Sequence, residues 1–284
     1  MGITMGPQHV EVNGVKLSIE IRGDGPPLYF PTPGWGASIH GYRHLQPLEE
    51  RFTVVWTETR GTGESSAPAD DDYRLSTFTA DTDALREALG FDQWWVAGHS
   101  WGGACAQDYI AHLPERCLGA ILLCTLVPTD PSNFEDLLER GLARAGDPGC
   151  DEALAAFPQR PTTDEEATQM LGDILPLYFV TLEAAERFHA ELEGMSCRVA
   201  AMVAEEPQNV DRSSIELLPS IDVPTVVVAA SGDFICSPPK NLRVHHAIPS
   251  SKFVLVENAG HFPWFEKPDQ FWSGLHSALD ALDA

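Results

Sequence analysis

Short, continuous apolar segments alternate with longer amphipathic stretches along most of this chain. A continuous apolar run of this length is typical of a strand that is buried on both faces of a parallel sheet. The segments that fit are Leu28–Phe30, Phe52–Trp56, Trp94–Ala97, Leu118–Leu123, Thr225–Ala230 and Phe253–Val256. The helix-like stretches are Thr77–Leu89, Gly102–Leu113, Pro239–Ala247 and Trp264–Leu282. The alternation predicts an α/β fold, with a mostly parallel sheet and helices on both faces.

The first strands follow a different pattern. Apolar and polar residues alternate between His9 and Ile21, and Asn13-Gly14 lies in the middle of this stretch. Asn-Gly is a preferred dipeptide for the two-residue turn of a β-hairpin. The sequence therefore predicts a hairpin ahead of the parallel strands.

The strand rhythm stops between Pro128 and Pro219, where amphipathic stretches such as Phe134–Ala145 and Leu182–Ala204 replace it. A chain of 284 residues is long enough for one α/β core that carries an insertion. We therefore predict a core formed by residues 1–127 and 220–284, with residues 128–219 as an inserted helical lid. A separate helical domain is the alternative. The lid is favoured because the strand pattern resumes at Pro224 and needs the same sheet.

Charge and the first residues argue against several classes of partner. The chain has 42 acidic and 18 basic residues, a formal net charge of −24. Such a chain repels nucleic acid and anionic membrane surfaces, so we expect a small-molecule substrate and neither of those partners. Met1–Gly6 lacks the basic and apolar regions of a signal peptide, and no apolar run has the length of a membrane helix. The expected location is cytoplasmic.

The cysteines do not form a recognisable metal or disulfide pattern. They are scattered without a CxxC pair, so we predict reduced thiols that pack as small apolar residues and no metal site. Gly98–Gly103 lacks the lysine of a phosphate loop, and no flavin or nucleotide motif is evident. We therefore expect no cofactor. The cysteines are Cys105, Cys117, Cys124, Cys150, Cys197 and Cys236.

Gly98-His99-Ser100-Trp101-Gly102 fits the pattern G-x-S-x-G, between a predicted strand and a predicted helix. In that setting the serine lies on a sharp turn, and small flanking residues avoid collisions within it. The start of the following helix favours developing negative charge beside the serine. An ordinary glycine-rich loop would not explain why glycines flank a serine on both sides. We predict that Ser100 is a nucleophile.

A serine nucleophile needs a base, and the base needs an orienting acid. His261 follows the last predicted strand and precedes the last predicted helix, a position from which it can reach the carboxyl edge of the sheet. His99 is expected to pack beneath the turn, and His245 and His246 to lie on a helix surface. Asp233 follows the strand Thr225–Ala230 and is the predicted acid. Asp130 is the alternative.

A tetrahedral intermediate at Ser100 needs two N–H donors for its oxyanion. One donor is predicted to be the backbone N–H of Trp101, the residue after the serine. The second should come from the loop Thr32-Pro33-Gly34-Trp35-Gly36, where proline offers no N–H. We predict Trp35, with Gly34 and Thr32 as alternatives.

Three segments resemble the α/β-hydrolase superfamily, in particular its proline-iminopeptidase-like branch. They are GHSWGG at Gly98–Gly103, RGTGES at Arg60–Ser65 and GHFPWFE at Gly260–Glu266. Gly25–Leu28 also resembles the approach to the family's oxyanion strand. The resemblance implies an α/β-hydrolase fold, and the chain order serine, aspartate, histidine is that of the superfamily. The family's usual His-Gly in the oxyanion loop is replaced here by Thr32-Pro33. Arg60 is expected to fix its loop by hydrogen bonds, without a catalytic part.

These residues favour a serine hydrolase that cleaves a small ester, lactone or amide through an acyl-enzyme. An aminopeptidase would need lid carboxylates to bind a substrate ammonium; those available are Glu183, Glu191, Glu193, Glu205 and Glu206. An esterase or lactonase needs only an apolar lid, which could be supplied by Leu175, Leu177, Tyr178, Phe179 and Phe188. The ester or lactone is favoured. A non-hydrolytic ligand-binding or ring-closing member of the same fold is a further alternative. Dehalogenases place a carboxylate where Ser100 stands, which argues against that branch.

Overall fold

The computed structural model describes residues 4–282 except 126, 128–131, 193 and 209–210. Its described part contains one eight-stranded sheet in the order β1-β2-β4-β3-β5-β6-β7-β8. The strands are β1 Gly6–Val12, β2 Val15–Arg22, β3 Pro27–Pro31, β4 Thr53–Thr57, β5 Trp94–Ser100, β6 Cys117–Thr125, β7 Thr225–Ala230 and β8 Ser251–Val256. Every strand predicted from the sequence is present in this sheet, so the fold class is confirmed.

The sheet is antiparallel only at its first edge. β1 pairs with β2, and β2 with β4, in antiparallel register, and every pairing from β4 to β8 is parallel. The predicted hairpin joins β1 to β2. Asn13 and Gly14 have φ angles of 43° and 77°, the paired positive values that a type I′ turn requires.

Both faces of the parallel strands are buried, which explains their continuous apolar sequences. Leu28 and Phe30 belong to one core cluster, which includes Phe271 of the last helix. Tyr29, between them, belongs to a second cluster on the other face, which includes Leu85. Since successive side chains of a strand point to opposite faces, each strand needs an unbroken apolar run.

The helices that cover the sheet are α1 Leu75–Ala88, α2 Trp101–His112, α8 Pro238–Ala247, α9 Pro263–Glu266 and α10 Pro268–Asp280. Two further segments, Ile39–Glu50 and Pro114–Arg116, form 3-10 helices. The prediction of one continuous helix over Trp264–Leu282 was wrong. The helix is interrupted at Lys267, whose φ of −136° and ψ of 59° are not helical. Pro268 follows it, and a proline disfavours the helical conformation of the preceding residue.

Between β6 and β7 the described chain forms α3 Ser132–Leu142, α4 Cys150–Ala156, α5 Asp164–Tyr178, α6 Leu182–Glu191 and α7 Val199–Gln208, followed by a 3-10 turn at Leu218–Ser220. We call α3–α7 the inserted helices. The stretch Leu182–Ala204, predicted as one amphipathic unit, is divided into α6 and α7, and Gly194 between them has a left-handed φ of 89°. The division of the chain into core and lid at residues 128 and 219 stays a prediction. None of the described helices is both long and apolar enough to cross a membrane.

Candidate active site

Ser100 lies at the end of β5, where the chain turns sharply into α2. Its φ of 57° and ψ of −121° are strained for a residue with a side chain. The turn brings backbone segments so close that larger residues cannot fit around it. A Cβ at Gly98 would lie 2.0 Å from the carbonyl oxygen of Gly102, and one at Gly103 would lie 2.4 Å from Thr125 Oγ1. The predicted reason for the glycines, avoidance of collision, agrees with this geometry.

His261 and Asp233 meet at the carboxyl edge of the sheet. The loop after β8 carries His261 and the loop after β7 carries Asp233, and Nδ1 of the imidazole lies 2.7 Å from Oδ2 of the carboxylate. The two side chains are 2% and 0% exposed. A carboxylate in this position fixes the Nδ1–H tautomer, which leaves Nε2 of the imidazole able to accept a proton.

The carboxylate of Asp233 is itself held in place by the backbone. Its second oxygen, Oδ1, accepts hydrogen bonds from the N–H groups of Ile235 and Cys236, both at 2.9 Å. Asp233, Cys236 and His261 offer donor atoms within 4.8 Å of one another, a spacing that could also suit a metal ion. The hydrogen bond between Asp233 and His261 already uses one of these possible metal-ligand atoms from each residue. The arrangement therefore fits an acid–base pair.

The histidine loop is fastened to the end of α5. The N–H of His261 donates to the carbonyl of Tyr178 at 2.7 Å. A Cβ at Gly260 would lie 2.2 Å from that same carbonyl oxygen, so only glycine allows this approach. Glu266 completes the junction, because its carboxylate accepts the N–H of Val180 at 2.9 Å and that of Gly260 at 2.5 Å. No role for Glu266 was predicted from the sequence, and its place in GHFPWFE was the one available signal.

His99 packs beneath the turn that carries Ser100, as predicted. Its Nε2 donates to the carbonyl of His261 at 2.9 Å, and its Nδ1 lies 3.3 Å from the hydroxyl of Tyr42. Complete burial, with a contribution from nearby His261, lowers the pKa of His99 well below its usual range. His99 is therefore a neutral support for the loop that carries His261. His245 and His246 lie on α8, and His245 bonds to Ser251.

Of the two predicted oxyanion donors, Trp101 forms a hydrogen bond within the protein and Trp35 lies near the ring of Phe157. The N–H of Trp101 donates to the carbonyl of Pro33 at 3.1 Å, so this donor already has a backbone partner. Trp35 adopts a left-handed φ of 57°, and its ring centroid lies 5.7 Å from that of Phe157. The oxyanion roles of Trp101 and Trp35 stay predictions.

Ser100, Trp101, Trp35 and His261 all line one cavity of about 410 Å³. Its wall is mainly apolar, and among the described residues no carboxylate contributes to it. Of the apolar residues predicted to form a lid, Leu175, Tyr178 and Phe188 line this cavity. Leu177 lines a neighbouring one, and Phe179 packs behind Phe188 with ring centroids 5.0 Å apart. We call the cavity beside Ser100 the inner cavity.

Of the acidic residues considered for ammonium recognition, the two whose side chains the structure describes, Glu183 and Glu191, are not in the wall of the inner cavity. Glu183 and Glu191 are exposed, and Glu191 pairs with His44 at 2.7 Å. Glu193 and the side chains of Glu205 and Glu206 lie outside the described residues, as does the alternative acid Asp130.

Two buried charged groups brace the loop that follows β4. Arg60 makes a two-pronged contact with Asp81 at 2.7 and 2.8 Å and a third bond to the carbonyl of Asp72, which is the structural role predicted for it. Glu58 accepts the N–H of Ile39 at 3.0 Å, and it thereby joins β4 to the start of the 3-10 helix. Burial raises the pKa of Glu58 to about 7.

Known proteins share both this sequence and this architecture. A family described as alpha/beta hydrolase fold matches residues 26–164. A proline iminopeptidase of Heyndrickxia coagulans is 23% identical over 96% of this chain and 98% of its own. The chain therefore has the α/β-hydrolase fold, and it resembles the α/β-hydrolase superfamily in sequence. The resemblance to its proline-iminopeptidase-like branch is thereby confirmed as a similarity of sequence.

Solved α/β hydrolases have the same fold over nearly their whole length. An α/β-fold family hydrolase from Bacillus anthracis superposes with a TM-score of 0.78 at 19% identity, covering 96% of this chain and 98% of the other. An esterase from a Rhodococcus species superposes with a TM-score of 0.77 at 22% identity, covering 98% and 100%. At these identities the likeness concerns the fold. The iminopeptidase and these two proteins are all hydrolases, which agrees with the enzyme class expected from the sequence.

Proposed function

We propose that this α/β hydrolase is a serine hydrolase that cleaves an apolar ester or lactone, with Ser100 as nucleophile, His261 as base and Asp233 as orienting acid. The observation that supports this most is the 2.7 Å contact between His261 and Asp233, because His261 lines the same cavity as Ser100. These two groups are buried and their orientation is fixed, which is what a base beside a serine needs.

In the proposed reaction, Nε2 of His261 takes the hydroxyl proton of Ser100 as its oxygen attacks the substrate carbonyl. The tetrahedral intermediate collapses to an acyl-enzyme, and His261 passes the proton to the departing alcohol oxygen. Water then attacks the acyl-enzyme with His261 again acting as base, and Ser100 is regenerated. For the N–H of Trp101 to bind the oxyanion, it must exchange its bond to the Pro33 carbonyl for one to the substrate oxygen.

The inner cavity favours a neutral apolar substrate over a peptide with a free amino terminus. An aminopeptidase has to neutralise a substrate ammonium, and among the described residues no carboxylate lines the cavity. Among the described residues that line it, Lys240 carries a formal positive charge and would repel an ammonium. A peptidase remains a second candidate, because the similarity to one proline iminopeptidase spans 96% of this chain.

The test is a comparison of short-chain nitrophenyl esters with a prolyl arylamide, using the parent protein and Ser100→Ala. We expect ester turnover in the parent and a loss of about a millionfold in the variant, the usual size for a triad nucleophile. The matched control is Ser76→Ala, because Ser76 bonds to Asp211 and does not line the inner cavity. Ser76→Ala should retain the parent rate.

Each outcome discriminates between the candidates. Turnover of the arylamide and not of the esters would support the peptidase instead. If Ser100→Ala keeps more than about a hundredth of the parent rate, Ser100 is not the nucleophile. If no substrate reacts and a fluorophosphonate does not label the protein, the hydrolase proposal fails and a non-hydrolytic ligand-binding or ring-closing role is favoured.

A further inference from the structure

A second apolar cavity lies beside the inner one. It has a volume of about 560 Å³, and its walls come mainly from α3, α5, α7 and the segment 157–161 that follows α4. We call it the outer cavity. Trp35, Leu137 and Phe157 line both cavities, so the two spaces adjoin each other through these three side chains.

The partition between the two cavities is made of side chains that can move. The rings of Trp35 and Phe157 are tilted by 48° with their centroids 5.7 Å apart. Both side chains are only partly buried, and Phe157 stands at the C-terminal end of α4. Because exposed side chains exchange rotamers readily, we expect these partly exposed rings to change rotamer. Separation of these rings would join the inner cavity to the outer one.

The outer cavity has an apolar rim that faces solvent. Leu138, Leu142 and Val203 line it and are 51%, 56% and 54% exposed. Single exposed apolar residues are normal, but several grouped around one cavity mark a binding site. Among the described residues, the charged side chain in the wall is Arg160, which bonds to the carbonyls of Pro158 and Gln159 beside it.

We propose that the outer cavity binds the far end of a long, unbranched alkyl or acyl chain whose ester group is held at Ser100. This inference rests on the proposed function and specifies its substrate class: a neutral ester or lactone that carries a long aliphatic chain. The chain starts in the inner cavity, passes between Trp35 and Phe157, and ends against the rim. Each methylene that leaves water on this path should tighten binding about fourfold.

Two properties favour a ligand chain over a second copy of the protein as occupant. The outer cavity adjoins the space beside Ser100, as expected for one substrate that extends through both. The net charge of −24 opposes the association of two copies.

The test compares nitrophenyl butanoate with nitrophenyl dodecanoate, both below their aggregation concentrations. We expect the parent kcat/KM to be at least about tenfold higher for dodecanoate, which corresponds to burial of about two further methylenes. Leu142→Glu should lower kcat/KM for dodecanoate about tenfold and leave that for butanoate unchanged. Leu217→Glu is the matched control, since this leucine is 39% exposed and lies outside the cavity. It should change neither value.

A binding measurement separates this inference from the proposed function. Calorimetric titration of Ser100→Ala with dodecanol should show tighter binding than with butanol, and adding Leu142→Glu should weaken only the former. If butanoate is hydrolysed but dodecanol binds no better than butanol, the chain site is refuted and the hydrolase stands. If dodecanol binds as expected while neither ester reacts, the hydrolase fails and the chain site stands.

Three further results would overturn the chain site. The first is a parent preference for butanoate, and the second is an equal loss for both esters in Leu142→Glu. The third is a parent that is dimeric by light scattering and that Leu142→Glu converts to monomers. That result would make the rim an interface between copies of the chain.

Discussion

The two sides of the inner cavity are built from different interactions. On the side of the sheet, polar groups are buried and held by hydrogen bonds, as in the pair His261–Asp233. The pair Arg60–Asp81, which does not line the cavity, is buried in the α/β core in the same way. On the side of the inserted helices, the wall is apolar and the ion pairs lie at the surface. Arg198 and Asp164, for example, form an ion pair, and their side chains are 51% and 46% exposed.

This difference separates two requirements of catalysis. Hydrogen bonds specify the positions of atoms, which proton transfer needs, and the sheet side supplies them. Apolar contacts tolerate different shapes and set which molecules enter, and the helix side supplies those. Variants on the sheet side should therefore change rate and stability strongly, while variants on the helix side should mainly change substrate preference.

Asp233→Asn should have the largest effect on the sheet side after loss of Ser100. The amide oxygen can still accept the N–H groups of Ile235 and Cys236, so the fold should persist. The amide NH₂ would then face His261 and donate to Nδ1, which places the proton on Nε2, where it blocks acceptance from Ser100. We expect kcat/KM for nitrophenyl butanoate to fall about ten-thousandfold. A loss below tenfold would show that Asp233 does not orient the base.

Arg60→Ala should cost stability rather than chemistry. Removal of one partner leaves the carboxylate of Asp81 buried without its guanidinium, which typically costs about 3–5 kcal/mol. The matched control is Arg198→Ala, whose partly exposed pair should be worth less than about 1 kcal/mol. Urea unfolding measures both values. Equal losses in the two variants would contradict the contrast between the two sides.

Glu58→Gln should change how stability depends on pH. The carboxyl has a pKa of about 7 when folded, against an ordinary value of 4.5, because burial disfavours its charged form. Its contribution to stability is therefore complete below about pH 4.5 and is lost as the pH rises through about 7. Over that window the parent should lose up to about 3 kcal/mol relative to the variant.

The measurement is the free energy of unfolding of parent and Glu58→Gln at both ends of this window. His99 acts in the opposite direction, because its lowered pKa makes its contribution fall as the medium becomes acidic. Since His99 is present in both proteins, the difference between them isolates Glu58. A difference that does not change with pH would mean that Glu58 is not titrating as described.

The sequence predicted the sheet and the loops that carry Ser100, Asp233 and His261, because those features depend on local patterns. Continuous apolar runs identify strands buried on both faces, and G-x-S-x-G between a strand and a helix identifies a sharp turn. Pro268 also indicated that the helix breaks at Lys267, although the predicted helix ran through both residues. These features need no knowledge of distant contacts.

The missed features depend on contacts between residues far apart in the chain. The junction of Glu266 with Val180 and the bond from Trp101 N–H to Pro33 each join separate segments. The burial of Glu58 likewise results from segments that pack around it in three dimensions. A single sequence carries no direct sign of such pairs. For the same reason it could not tell which residues of the inserted helices face the inner cavity.

The junction between α5 and the histidine loop limits how this enzyme could be redesigned. Exchanging helices with a relative is an attractive way to obtain new substrate ranges, since the helix side is expected to select the substrate. However, Tyr178 and Val180 bond to the segment that carries His261 and Glu266. A chimaera that replaces the end of α5 would thus displace His261, the proposed base, along with the old specificity. Grafts that keep residues 177–181 from this chain would retain both backbone anchors.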